Sequence, residues 1–246
     1  QCDVRMHSDR ALLALQGPDA SRALAALCPE VRALAFMHGG EFDLLGVPAI
    51  IHRCGYTGED GFEISVPDSQ AERVARALLA QEGVAPAGLG ARDSLRLEAG
   101  LCLYGSDLDA RTTPVEAGLN WTIAAKYRHN GAVRARFPGA ASILAQLQDP
   151  NLRRRVGMRP DGQAPVRAGT PILDAAGMAV GQITSGGYGP SVGAPIAMGY
   201  VQARCAQPGN VLHAEVRGRT RTLNVCALPF VPHRYFNSTS NRSNRQ

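Results

Sequence analysis

The sequence predicts an α+β region followed by a small antiparallel β-barrel, and three observations carry that prediction. The first hundred or so residues mix short apolar strands with segments of helical periodicity. From Arg153 onward the pattern changes to short β-like segments, broken by Gly and Pro every eight to twelve residues or so. The change falls across the loop KYRHNGAVRARFPGA, which places a boundary near residues 137–151. The regions are then 1–137 and 151–236, with a polar tail, residues 237–246, expected to be disordered.

Taken in order, ALLALQG (Ala11 to Gly17) is a short apolar strand closed by Gly17 and Pro18. DASRALAALC (Asp19 to Cys28) starts with a candidate N-cap and continues with helical spacing. GEFDLLGVPAIIHRCGYTG gives two strands around the turn at Gly46, then a glycine-rich loop and another strand. DSQAERVARALLAQEG is a helix from Asp68, the candidate cap, to Gly83, with Val74, Leu78 and Leu79 on its apolar face. GARDSLRLEAG predicts a further helix starting near Asp93. Thr112, Thr113 and Pro114 are expected to turn into a helix whose first turn holds Glu116, and Ala140 to Leu147 forms a short helix. Barrel strands are expected at Pro171–Leu173, Ala179–Thr184, Ile196–Tyr200, Val211–Val216 and Arg221–Cys226, with TSGGYGPS as a barrel loop.

At 246 residues, 45% hydrophobic and 19% charged, the composition is that of an ordinary globular protein with one large or two modest domains. No apolar run is long enough to span a bilayer. No signal peptide is recognisable, and the lack of an initiating methionine is read as a fragment or a processed product. The six cysteines are scattered without CxxC pairing, which points away from zinc or redox chemistry and towards free thiols in a reducing compartment. The net charge of +5 comes almost wholly from arginine, Lys126 being the only lysine, and favours acidic ligands. Basic residues are not interleaved with aromatics, so nucleic acid is not the expected partner. Asp107, Asp109 and Glu116 lack metal-ligand spacing and are read as structural. Two glycosylation-type sequons, at Asn237 and Asn241, lie in the polar tail.

The stretch RCGYTGEDGFEISV, Arg53 to Val66, is the most informative. Two glycine turns precede the alternating strand Phe62-Glu63-Ile64-Ser65-Val66. Its apolar positions point one way, and Glu63 and Ser65 the other. If that polar face looks into a cleft, Glu63 is a fixed carboxylate able to accept hydrogen bonds from a ligand; otherwise it is a solvated strand residue.

Six segments in register, RCGYTGEDGFEISVP, GLGARDSLRLEAGLCLYGSDLD, TTPVEAGLNW, ITSGGYGPS, IAMGYV and LPFVPHRY, resemble the aminomethyltransferase (T-protein) family of the glycine cleavage system, from its middle to its C-terminus. The resemblance covers roughly residues 9 to 236. It implies ferredoxin-like α+β units that bind folate, closed by the C-terminal barrel. It also implies transfer of a one-carbon unit from the aminomethylated lipoyl arm of H-protein to tetrahydrofolate, a co-substrate, with release of ammonia.

By the same resemblance Glu63 holds the pterin, Tyr56 lies against the folate, and Arg92 and Tyr235 contact it. Arg92 is placed just ahead of a helix capped by Asp93, and Arg96 is read as a surface salt-bridge partner. The family's catalytic aspartate belongs to a segment ahead of ALLALQG, and no aspartate here matches its motif, so no catalytic residue is assigned. The expected activity is therefore weak or absent in this chain alone. A non-catalytic folate-binding module and the folate domain of a dimethylglycine or sarcosine oxidase are the alternatives. Bacterial cytoplasm is the expected location, with the mitochondrial matrix as the other possibility.

Overall fold

The computed structural model describes residues 2–128 and 137–236. The expected disordered tail and its two sequons lie outside the described residues, as does much of the loop at the expected boundary. The chain forms two compact units, Gln1–Arg92 with Pro232–Gln246, and Asp93–Val231.

The first unit is built on a four-stranded antiparallel sheet: β1 (Arg10–Gln16), β2 (Gly39–Leu44), β3 (Val47–His52) and β4 (Gly61–Pro67), in the order β1-β4-β3-β2. Period-two alternation divides its faces. Phe62, Ile64 and Val66 of β4 are fully buried, as is Ile51 of β3, while Leu44 and Leu15 extend the same layer outward. Helices α1 (Ala20–Ala25) and α2 (Ala71–Leu79) pack on that face through Leu24, Val74 and Leu78. Burying each such side chain is worth about 1.5–3 kcal/mol. Leu79, expected with them, is instead 45% exposed.

The helix ends differ from the expected caps. Asp19 makes no capping hydrogen bond and pairs with Arg22, and Asp68 opens a 3-10 turn, Asp68–Gln70, ahead of α2. The turn between β2 and β3 has Leu45 and Gly46 both at positive φ, 61° and 76°. That is the pair of left-handed residues a two-residue hairpin needs to follow strand twist, and Asp43 Oδ1 accepts from the Gly46 N–H at 2.6 Å.

Helix α3 (Leu89–Glu98) starts four residues before the expected Asp93. The backbone N–H groups of Ala91 and Arg92 already bond to Gly88, and glycine at 88 and 90 weakens the helix without stopping it. Arg92 is therefore a helical residue, and Asp93 pairs with Arg96 rather than capping.

In the second unit, β5 (Arg154–Pro160), β6 (Pro171–Leu173), β7 (Ala179–Gly189), β8 (Ala194–Val201), β9 (Val211–Val216) and β10 (Arg219–Cys226) close into an antiparallel barrel, ordered β10-β5-β8-β7-β6-β9. The expected α+β region followed by an antiparallel barrel is what the fold contains. Helices α4 (Ala125–Arg128) and α5 (Ala140–Leu147) precede the barrel, α5 at its expected limits. Most of TSGGYGPS is strand rather than loop, because β7 runs on to pair with β8 as far as Gly189↔Ala194. No helix begins at Pro114 to take Glu116 into its first turn. The segment turns repeatedly instead, with Glu116 held by the Thr113 N–H at 2.8 Å and Arg153 at 2.6 Å.

Arg96 departs furthest from expectation. Its side chain is 4% exposed and meets Asp107, itself 0% exposed, at 2.8 Å. It also donates to Ser185, and Asp107 accepts from Ser185, Thr184 and the Leu103 N–H. The remaining acidic residues of the cluster are likewise engaged, Asp109 by Arg111 and Thr112. Removing one partner of a buried pair leaves the other charge stranded, which costs about 3–5 kcal/mol. Arg96→Met is expected to lower the stability of the second unit by that much in urea unfolding; a loss below about 1 kcal/mol, typical of an exposed pair, would contradict this reading.

Candidate functional site

The residues singled out in the sequence all belong to the first unit, and the glycine-rich turns organise them. The side chain of Gln16, at the end of β1, lies between Gly55 and Gly61. A Cβ at either glycine would sit closer than 3 Å to the Gln16 carboxamide, and at Gly61 it would also meet the Leu15 carbonyl at 2.7 Å. Neither glycine has a positive φ, so the requirement is steric rather than conformational. The amide uses that space fully. Its Nε2 donates to the Cys54 carbonyl at 3.0 Å and to the Phe62 carbonyl at 3.4 Å, and its Oε1 accepts from the Thr57 hydroxyl at 3.0 Å.

Arg53 fixes the loop from its other side. It is 2% exposed, with Nε and Nη2 on the two Asp60 oxygens at 2.9 and 2.6 Å and Nη1 on the Leu34 carbonyl at 3.0 Å. This forked geometry is the strong form of an arginine–carboxylate pair. The guanidinium also lies 3.6 Å from the Phe236 ring centroid. Through Phe236 the last described segment is tied to the loop, and Arg234 adds a backbone bond to Gly58 at 2.7 Å and an ion pair with Glu59 at 2.6 Å.

Glu63 stands on the face of β4 away from the core and is half-buried. Its cross-strand neighbours are Ala14 on β1 and His52 on β3. The His52 ring lies over Gly39, and Ala14 is small. Ser65, the other polar position on this face, is taken by Arg10 at 2.9 Å. Glu63 Oε2 accepts from the Cys54 thiol at 3.6 Å. Burial, the Glu63 charge and this hydrogen bond together push the Cys54 thiol up to about 11, so it remains protonated at neutral pH.

Tyr56 is met by Arg92, whose guanidinium carbon is 5.1 Å from its ring centroid, within cation–π range. Tyr235 stacks on Phe36 at 4.2 Å and 13°, with His233 against it at 4.8 Å. Burial raises the Tyr235 phenol, which therefore stays a neutral donor. The structure thus joins Tyr56 to Arg92, and links Tyr235 to the Tyr56 loop through its neighbours Arg234 and Phe236. Among the described residues no hydrogen bond or ion pair joins Glu63 to Arg92 or Tyr235. Gln16 and Cys54 are the organisers that sequence reading missed; the paired glycines at 55 and 61 were the available signal, since each marks a side chain arriving from elsewhere. In the second unit a cavity of about 250 Å³ is lined by Arg153, Gln182, Thr184, Tyr200 and Gln202 among others, but its arginine is already paired with Glu116.

An α+β unit with a glycine-loop carboxylate, joined to a C-terminal antiparallel barrel, defines the class. Residues 2–127 match the family model for the GCVT N-terminal domain, and residues 153–232 match the glycine cleavage T-protein C-terminal barrel domain. The chain belongs to the glycine cleavage T-protein family. It is 49% identical over 230 residues to the mitochondrial aminomethyltransferase of Canis lupus familiaris and 48% identical over 230 residues to that of Homo sapiens, covering 93% of this chain and 56% of each relative. The crystal structure of glycine cleavage system aminomethyltransferase T from Bartonella henselae superposes with a TM-score of 0.84 at 45% identity, over 93% of this chain and 61% of that one. The chain thus spans little more than half the length of the curated relatives it matches. Among the described residues no helix is long and apolar enough to cross a membrane.

The glycine requirement is testable by coupling. Gly55→Ala alone forces the Gln16 amide aside, a clash expected to cost about 1–3 kcal/mol. Combined with Gln16→Ala, the further loss from Gly55→Ala should be small, because the obstruction is gone. Strict additivity in chemical denaturation would show that Gln16 is not what the glycine accommodates.

Proposed function

We propose that this chain is the folate-facing portion of an aminomethyltransferase of the glycine cleavage system, and that Glu63 holds the pterin. The observation that carries the reading is the Glu63 carboxylate, half-buried on the face of β4 away from the core and met by the Cys54 thiol, in a chain of this family. A pterin presents parallel N–H donors along its amino-pyrimidine edge, and a carboxylate accepts two of them together. Tyr56 supplies a ring against the folate, with its face polarised by Arg92. Arg92 offers charge to the anionic part of the ligand, and Tyr235 closes the set as an aromatic contact. The reaction assigned is transfer of the one-carbon unit from aminomethyl-lipoyl H-protein to tetrahydrofolate, releasing ammonia. Tetrahydrofolate is the co-substrate and lipoylated H-protein the partner. We assign no catalytic residue and no metal. The named relatives are mitochondrial, and the structural relative comes from Bartonella henselae; bacterial cytoplasm or mitochondrial matrix is the location proposed.

A second reading is a folate-binding module without turnover, since no catalytic role is assigned to any of these residues. Two measurements separate the readings. Glu63→Ala is expected to weaken tetrahydrofolate binding at least about tenfold, since it orphans the paired pterin donors; unchanged affinity in a fluorescence titration removes Glu63 from the site. These 246 residues by themselves, with no catalytic residue assigned among them, are expected to release little or no ammonia from aminomethylated H-protein, since catalysis without a general acid or base is commonly about 10²–10⁴-fold slower. Turnover matching a full-length relative would exclude the module reading.

A further inference from the structure

The Cys54 thiol has no role in the reading above, yet its surroundings are unusually determined. Its carbonyl is bound by the Gln16 amide, Arg53 before it is locked onto Asp60, and Gly55 after it is confined by the Gln16 side chain. A residue whose backbone is fixed on both sides presents its side chain at one place. That place is 3.6 Å from Glu63 Oε2. We propose that Cys54 is a positioning residue for the folate site: its thiol donates to one oxygen of Glu63 and sets the carboxylate plane, leaving the remaining acceptor positions for the ligand. The inference rests on the assignment of Glu63 to the pterin.

Three features support a positioning role over simple packing. A carboxylate on a strand face has free rotation about its last side-chain bond, and a two-point grip on a flat ring edge requires that plane to be defined. The two strand neighbours that could define it do not, since Ala14 has no donor and the His52 ring lies over Gly39. Arg10, the nearby cation on the same face, is spent on Ser65. The thiol is a donor that reaches Glu63 Oε2 from a backbone held on both sides. Held in its protonated form at neutral pH, that thiol donates without competing as an anion for the same site. A thiol is a weak donor, which suits a group that must orient a carboxylate without neutralising its attraction for the ligand.

Two experiments on the 246-residue chain test the proposal. The first reads the pairing without any ligand, by alkylation with iodoacetamide at pH 8 and peptide mass spectrometry of Cys54. Glu63→Gln removes the charge and weakens the acceptor, so Cys54 should react about threefold to tenfold faster, with Cys2 unchanged as an internal standard. An unchanged Cys54 rate overturns the proposal. The second is a double-mutant cycle read by tetrahydrofolate titration. Cys54→Ala should weaken binding about threefold to tenfold, Cys54→Ser should retain most of the affinity, and Cys54→Ala should cost nothing further in a Glu63→Gln background. An equal loss in both backgrounds, or no loss in either, overturns it. If Glu63→Gln speeds alkylation but leaves tetrahydrofolate affinity intact, the pterin assignment of Glu63 fails and the positioning role fails with it. If Glu63→Gln weakens binding but Cys54→Ala does not, the inference alone is lost.

Discussion

One side-chain amide sets the local geometry on which the first unit's proposed folate face depends. Gln16 reaches from the end of β1 into the space left by two glycines and satisfies two carbonyls and a hydroxyl with a single planar group. Each bond contributes about 0.5–1.5 kcal/mol net, but its larger consequence is positional. With the amide in place, Cys54, the Tyr56 loop and the start of β4 cannot move independently, so the thiol, the aromatic ring and the Glu63 carboxylate keep a fixed relation. Arg53 and Asp60 repeat the device on the opposite side of the loop, where a buried, forked ion pair anchors the segment that carries Tyr235.

The second unit relies on a similar principle. Arg96 and Asp107 are withdrawn from water, at a desolvation cost that the two charges alone do not recover. What balances it is the completeness of the surrounding bonds, since Ser185, Thr184, the Leu103 N–H and the Leu101 carbonyl occupy the remaining donor and acceptor positions. Such a network fixes where α3, the loop after it and β7 meet, which apolar packing of small residues would specify less sharply. Glu98 does the same for the turn after β7, accepting from Ser191 and Val192.

Much of this fold was legible in the sequence, because period-two alternation and helical spacing report burial directly. The core face of β4, the second half of α2 and the short helix at 140–147 follow that logic, as do the barrel strands. What escaped was the polar interior. Arg96 looked like a surface residue because its partners, Asp107 and Ser185, are distant in sequence, and no local pattern distinguishes a buried guanidinium from a solvated one. Gln16 carried no signal of its own. The helix start at Leu89 was missed because glycines at 88 and 90 look like a stop, although they only weaken a helix that its later contacts sustain. At the candidate site, Glu63 and its face were visible from alternation alone, whereas the roles of Arg92, Tyr56 and Tyr235 came from family resemblance.

The central claim is that the face of β4 bearing Glu63 receives a reduced pterin. The most direct measurement is amide chemical-shift mapping by NMR on the isotopically labelled chain during addition of tetrahydrofolate. The account predicts that the perturbed resonances centre on Ala14, His52, Cys54, Tyr56 and Glu63. Perturbations confined to the barrel strands of residues 154–226, with those five unmoved at saturating ligand, would contradict it.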